Sequence, residues 1–100
     1  MTAAVVVTGR ARAHYDRVDT WWRDNRPKSP GLFAREFRRL IALLRDAPGI
    51  GQRYQCEGET AVRRYFLRRT GHHVYYLYES DLVTILGIWN AASDREPDFI

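Results

Sequence analysis

One hundred residues and 11.7 kDa leave room for one small domain, residues 1–100, and 45% hydrophobic, 13% aromatic and 28% charged residues are too balanced for a disordered chain. No apolar run approaches the roughly 18 residues of a membrane span, the opening MTAAVVVTGRAR is not built like a signal peptide, and the lone Cys56 excludes an internal disulfide and a thiolate metal cluster. The formal charge of +4 divides unevenly: residues 1–78 hold 15 bases and 7 acids, a balance of +8, while residues 79–100 hold Arg95 against five acids, a balance of −4.

The expectations are therefore a cytoplasmic protein without membrane contact, cofactor or metal. A basic body also suits an acidic partner, nucleic acid or protein, although abundant arginine is equally what a solvated surface shows.

Residues 3–7, AAVVV, read as a strand closed by Thr8 and Gly9. From Arg10 the period changes. Ala11, Tyr15, Val18 and Trp22 fall on one helical face until Asn25-Arg26-Pro27 ends the helix. Ser29 as cap and Pro30 at the first helical position announce a second helix, with Phe33, Phe37, Leu40, Ile41 and Leu44 as its apolar stripe and Ala47-Pro48-Gly49 as its stop. After a polar stretch from Tyr54 to Thr60, a period of two marks strands near 61–69, 73–79 and 82–90, joined by turns short enough for hairpins. The fold class is α+β in the order β-α-α-β-β-β, a helical hairpin packed on one face of a twisted, mainly antiparallel sheet whose other face is partly open.

In the strand AVRRYFLRRT, alternation puts Arg63 and Arg64 on opposite faces, and Arg68 and Arg69 likewise. A guanidinium on a rigid strand suits a phosphate or carboxylate ligand, and equally an ion pair with Glu36, Glu57 or Glu59. His72 and His73 stand at a turn and face opposite ways, so they do not form a pair, and no third residue completes a metal site. In VYYLY, Tyr76 and Tyr78 share one face and Tyr75 the other, suited to base stacking or to core packing. Trp21 and Trp22 point about 100° apart on their helix, so if one is core the other is near the edge of the buried stripe.

Taken in order, WWRDNRP, LFAREFRRLIALL, APGIGQRY, AVRRYFLRRTGHHVYYLY and LVTILGIWNAASDREPDF resemble the RelE/ParE superfamily of bacterial toxins, from near Val5 to the C-terminus. The resemblance implies a type II toxin neutralised by a cognate antitoxin. RelE-like members cut messenger RNA on the ribosome with basic residues and a tyrosine or histidine near the C-terminus. ParE-like members are not nucleases and trap DNA gyrase. Where ribonuclease members often carry histidine at the end of the last strand this chain has Asn90, which exchanges no proton near neutral pH.

The reading is a ParE-like, plasmid-stabilisation type toxin. Trp21, Trp22, Arg64, Tyr76, Trp89, Asn90 and Arg95 are its expected contacts to target or antitoxin. The alternative is an mRNA endoribonuclease with Arg63, Arg64, Arg68 and Arg69 on phosphates and His73 in proton transfer. A third reading is a member that binds antitoxin without toxicity.

Overall fold

A computed structural model describes residues 2–57 and 60–97, with side chains for all of these except 55–57 and 60. The elements run β1 (Ala4–Val7), α1 (Gly9–Asn25), α2 (Leu32–Asp46), β2 (Gln52–Glu57), β3 (Thr60–Leu67), β4 (His72–Glu79) and β5 (Leu82–Asn90). The strands form one sheet in the order β1-β5-β4-β3-β2, antiparallel except for β1, which runs parallel to β5. The α+β architecture is the expected one, with a strand added: β2 occupies part of the polar stretch. Its sequence QRYQCE has no β-branched residue, and Tyr54 and Cys56 are its only apolar alternation, a short pattern that suffices for an edge strand paired only to β3. The side chains of Cys56 and Glu57 and the whole of Glu59, the two glutamates weighed above as arginine partners, lie outside what is described.

Helix α1 starts where Thr8 accepts a hydrogen bond from the Ala11 N–H at 3.1 Å, and the same hydroxyl donates to the Ile85 carbonyl at 2.9 Å. One side chain thus begins the helix and fastens it to β5. Helix α2 departs from the expected start. Its N-cap is Gly31, with no capping side chain, and Ser29 is used in a turn: its N–H donates to the Arg26 carbonyl and its own carbonyl accepts from the Leu32 N–H.

The two helices meet through rings, with Tyr15 at 5.3 Å from Phe33 and 5.0 Å from Phe37. Beneath them the helix-facing residues of the sheet, Leu67, Val74, Tyr76, Val83, Ile85 and Ile88, complete the core with Ala11, Phe33, Leu40 and Leu44. The sheet is curved by a register shift where Tyr75 and Tyr76 pair with Gly87 and Ile85. The β4–β5 hairpin closes on Ser80 and Asp81, both with positive φ (50° and 61°), the mirror-image turn that matches strand twist.

The β3–β4 hairpin is held from α2. The Glu36 carboxylate accepts from the Arg69 N–H (2.8 Å), the Thr70 N–H (3.1 Å) and the Thr70 hydroxyl (2.6 Å). Glu36→Ala leaves these three donors to water in a half-buried place, and the expected loss is about 2 kcal/mol, read as a lower urea midpoint with unchanged slope.

Candidate functional site

Two of the expected site residues hold the scaffold together instead. Tyr76, placed above among binding residues, is 0% exposed. Its hydroxyl donates to the Pro48 carbonyl (2.8 Å) and accepts from the Gly51 N–H (2.7 Å), while burial pushes its phenol pKa up. Arg63, its cross-strand neighbour, donates to the carbonyls of Gly49 (3.0 Å) and Gly51 (2.9 Å). The pair therefore fixes the turn at residues 47–51. Arg63 is engaged there and not displayed as a phosphate clamp, and Tyr76 has no surface to offer a partner. Arg68 and Arg69 are exposed at the end of β3, beside α2 and away from Arg64.

The face of the sheet turned away from the helices carries Arg64, His73, Tyr75 and Trp89. Arg64 lies 4.9 Å over the Tyr54 ring, which meets Tyr75 edge-on at 5.1 Å, and Tyr75 in turn approaches His73 at 6.1 Å. That face is less open than expected: Tyr75 is 2% exposed. The C-terminal segment crosses it. The Trp89 indole N–H donates to the Arg95 carbonyl at 2.9 Å, the Arg95 guanidinium lies 5.9 Å from the Trp89 ring, and the Tyr54 hydroxyl donates to the Glu96 carboxylate, which raises the Tyr54 pKa.

His72 and His73 point to opposite sides. His72 packs at 5.7 Å from Phe33, with its Nδ1 donating to the Thr70 carbonyl at 3.1 Å. Its pKa is lowered by burial, against weaker raising effects from Thr70 and Glu36. That of His73 is lowered by burial, then by Arg64 and His72. In the unfolded chain both return to the ordinary value of 6.5. The unfolded state then binds more protons below that pH, so stability is full above 6.5 and declines as pH falls from there toward the folded values. The urea midpoint is expected to fall between pH 7.5 and pH 5.5, and to fall less in the double variant His72→Asn, His73→Asn.

The other four expected contacts come together or close to it. Trp21, Trp22, Trp89 and Asn90 line one pocket of about 460 Å³ at the open end of the sheet, between α1, the end of β5 and the β3–β4 hairpin. All three tryptophans of the chain are there. Trp22 packs against the core while Trp21 is 46% exposed, as their angular separation on the helix requires. Arg26 stacks 4.9 Å from Trp21 and 5.8 Å from Trp22, Arg17 and His72 add to the wall, and no lining residue is acidic. Asn90 is partly occupied: its Oδ1 accepts from the Ala92 N–H at 2.9 Å, closing the turn after β5. Neither Arg63 nor Arg64 lines the pocket that Asn90 lines, so arginine clamp and strand end do not share one concave surface.

The hollow is lined by three tryptophans with a stacked guanidinium at its lip, a composition of the kind that protein interfaces favour, and nothing in it pairs an acid with a base. Among the described residues no cluster of histidine, cysteine and carboxylate is arranged to hold a metal, and no helix is long and apolar enough to cross a membrane.

Residues 5–95 match the family described as the ParE toxin of type II toxin–antitoxin systems, parDE. The chain belongs to the ParE toxin family. No curated protein is similar enough in sequence to count as a relative. The fold is also similar to a chain in the crystal structure of the toxin–antitoxin complex RelBE2 from Mycobacterium tuberculosis, at a TM-score of 0.60 and 17% identity, over 90% of this chain and 99% of that one.

This ParE-family chain uses residues that sequence reasoning did not single out. His14 accepts from the Ile88 N–H through Nδ1 at 3.1 Å. It thereby satisfies the part of the β5 edge that β1, paired only as far as Ile85, does not reach. The signal was present in the spacing of His14, Val18 and Trp21, one helical face of α1. Tyr54 and Arg26 had no such signal, since each becomes part of a site only by stacking on a residue from elsewhere or from a turn.

Proposed function

We propose that this ParE-type toxin acts by binding. A cognate antitoxin holds it in the cytoplasm, and once released it poisons a cellular target, DNA gyrase, without making or breaking a covalent bond in it. The observation that carries this reading is the convergence of Trp21, Trp22 and Trp89 on one pocket with Arg17 and Arg26 and without any acid. Tryptophan and arginine are the residues on which protein interfaces concentrate their affinity. Gyrase as the target rests on the family.

A second reading, a ribosome-dependent mRNA endoribonuclease, is supported by Arg64, Tyr54, Tyr75 and His73 meeting on the sheet face, where burial favours a neutral His73 able to take a proton. Against it, the Glu96 carboxylate lies on that face where an RNA phosphate would have to approach. Expression without antitoxin decides between them. Gyrase-dependent DNA breakage with intact messages is the expected result, and new cleavage ends on ribosome-bound transcripts overturn the binding reading.

A further inference from the structure

The tryptophan pocket has the size and the walls of a small-molecule cleft. Its volume of about 460 Å³ falls in the range, roughly 300–1,000 Å³, that such clefts occupy. Trp21, Trp22 and Trp89 supply flat apolar surfaces, and Val18 and Ile88 fill the space between with aliphatic ones. Walls of this kind favour a planar ring.

Rings alone do not fix the sign of a ligand's charge, since an aromatic cage equally suits a quaternary ammonium. The rest of the lining fixes it. Arg17 precedes Trp21 by one helical turn and Arg26 follows α1 as its C-cap, so the exposed indole of Trp21 stands between two guanidiniums. Arg26 lies 4.9 Å from the Trp21 ring and uses one N–H on the Asn25 carbonyl (3.2 Å), which leaves most of its five donors unused. Among the described residues the ion pairs are Arg12–Asp16 and Arg23–Asp19, and neither pocket arginine takes part in them. Asn90 adds a further donor, because its Oδ1 is occupied by the Ala92 N–H while its amide NH2 is not. With no acid in the lining, two cations and an amide donor repel an ammonium and attract a carboxylate.

We infer that this pocket is a small-molecule site for planar aromatic carboxylates, which stack their ring on the indoles and set their carboxylate against the guanidiniums flanking Trp21. A guanidinium lying on indole rings is partly shielded from water, so its hydrogen bonds to an anion are stronger than those made at an open surface. The ligand takes the space given above to a protein partner and therefore competes with that partner. Its binding does not depend on there being one, so failure of either reading leaves the other standing.

The test uses heteronuclear NMR on the full purified chain, whose three indole N–H resonances all come from this pocket. Titration with naphthalene-2-carboxylate should shift them, and the Asn90 side-chain amide, along one saturable curve. The carboxylate should bind roughly tenfold more tightly than naphthalene-2-carboxamide, the difference expected of a charge-assisted hydrogen bond, and the gap should narrow as salt rises. The double variant Arg17→Gln, Arg26→Gln should reduce the carboxylate to the affinity of the amide while the affinity for the amide and the melting temperature hold. Arg26→Lys, which keeps the charge without the planar fork, should retain part of the preference. Equal binding of carboxylate and amide, tighter binding of a naphthyl trimethylammonium, a preference that survives the double variant, or shifts that bypass the three indoles each overturn the proposal. So does absence of carboxylate binding where an acidic tryptophan-containing peptide saturates the same resonances, which would make the pocket a protein site alone.

Discussion

Replacing Gly51 with alanine is expected to lower stability by about 2–3 kcal/mol and the melting temperature by roughly 10–20 °C, among the largest effects of any single methyl group in this chain. The added Cβ would stand 2.5 Å from the Tyr76 hydroxyl and 2.8 and 2.9 Å from its ring carbons. Tyr76 is fully buried and tied to Pro48 and Gly51, so it has nowhere to move. Tyr76→Phe is milder, about 1–3 kcal/mol, since it leaves the buried Gly51 N–H without a partner but creates no clash. Ring carbons persist in phenylalanine, so Gly51→Ala should still cost stability in that background. In a Tyr76→Ala background the clash disappears and the penalty of the added methyl should vanish. Thermal denaturation of the cycle reads this directly, and an alanine at 51 that costs nothing would show the 47–51 turn to be free to shift.

Trp21→Ala should weaken binding of the protein partner by roughly 30-fold or more, about 2 kcal/mol, while the melting temperature moves by a few degrees at most. Trp21 is nearly half exposed and stacks chiefly with Trp22 and Arg26. Its neighbour behaves in the opposite way: Trp22 packs on the core, so Trp22→Ala should cost about 3 kcal/mol or more of stability and reduce activity through the folded fraction. Two adjacent tryptophans with inverted signatures, one read by calorimetry and the other by titration with the partner, separate interface from scaffold. Equal losses of stability in both would remove Trp21 from the interface.

The parts of this fold that were legible in the sequence are those written in local periods. The stripes Ala11-Tyr15-Val18-Trp22 and Phe33-Phe37-Leu40-Leu44 gave the faces of both helices, because a period of 3.6 needs no knowledge of the partner. Strand β2 was not legible, since QRYQCE is ordered by its neighbour and not by its own pattern. The site was half legible for the same reason. Trp22 falls on the stripe of Ala11, Tyr15 and Val18, and Trp21 stands about 100° off it. The roles of Arg63 and Tyr76 depend on carbonyls 12 to 28 residues away, and nothing in AVRRYF distinguishes the arginine that braces a turn from the one that stacks on a tyrosine. The tail carried its charge visibly, but that Glu96 returns to Tyr54 is a matter of chain path.

The parallel pairing of β1 with β5 bears on time as well as on shape. Ala4 finds Leu82, and Val7 finds Ile85, across almost the whole length of the chain. Contacts of such separation form late and slow the folding reaction. On a ribosome adding about 5–20 residues per second, β1 waits roughly 4–16 s before its partner strand has been made. Thr8 starts α1 while holding the Ile85 carbonyl, and His14 on α1 receives the Ile88 N–H, so the placement of the first helix waits as well. The tryptophan pocket, which needs α1 and the end of β5 together, is therefore among the last features to form, and a nascent chain does not carry it until synthesis has passed β5.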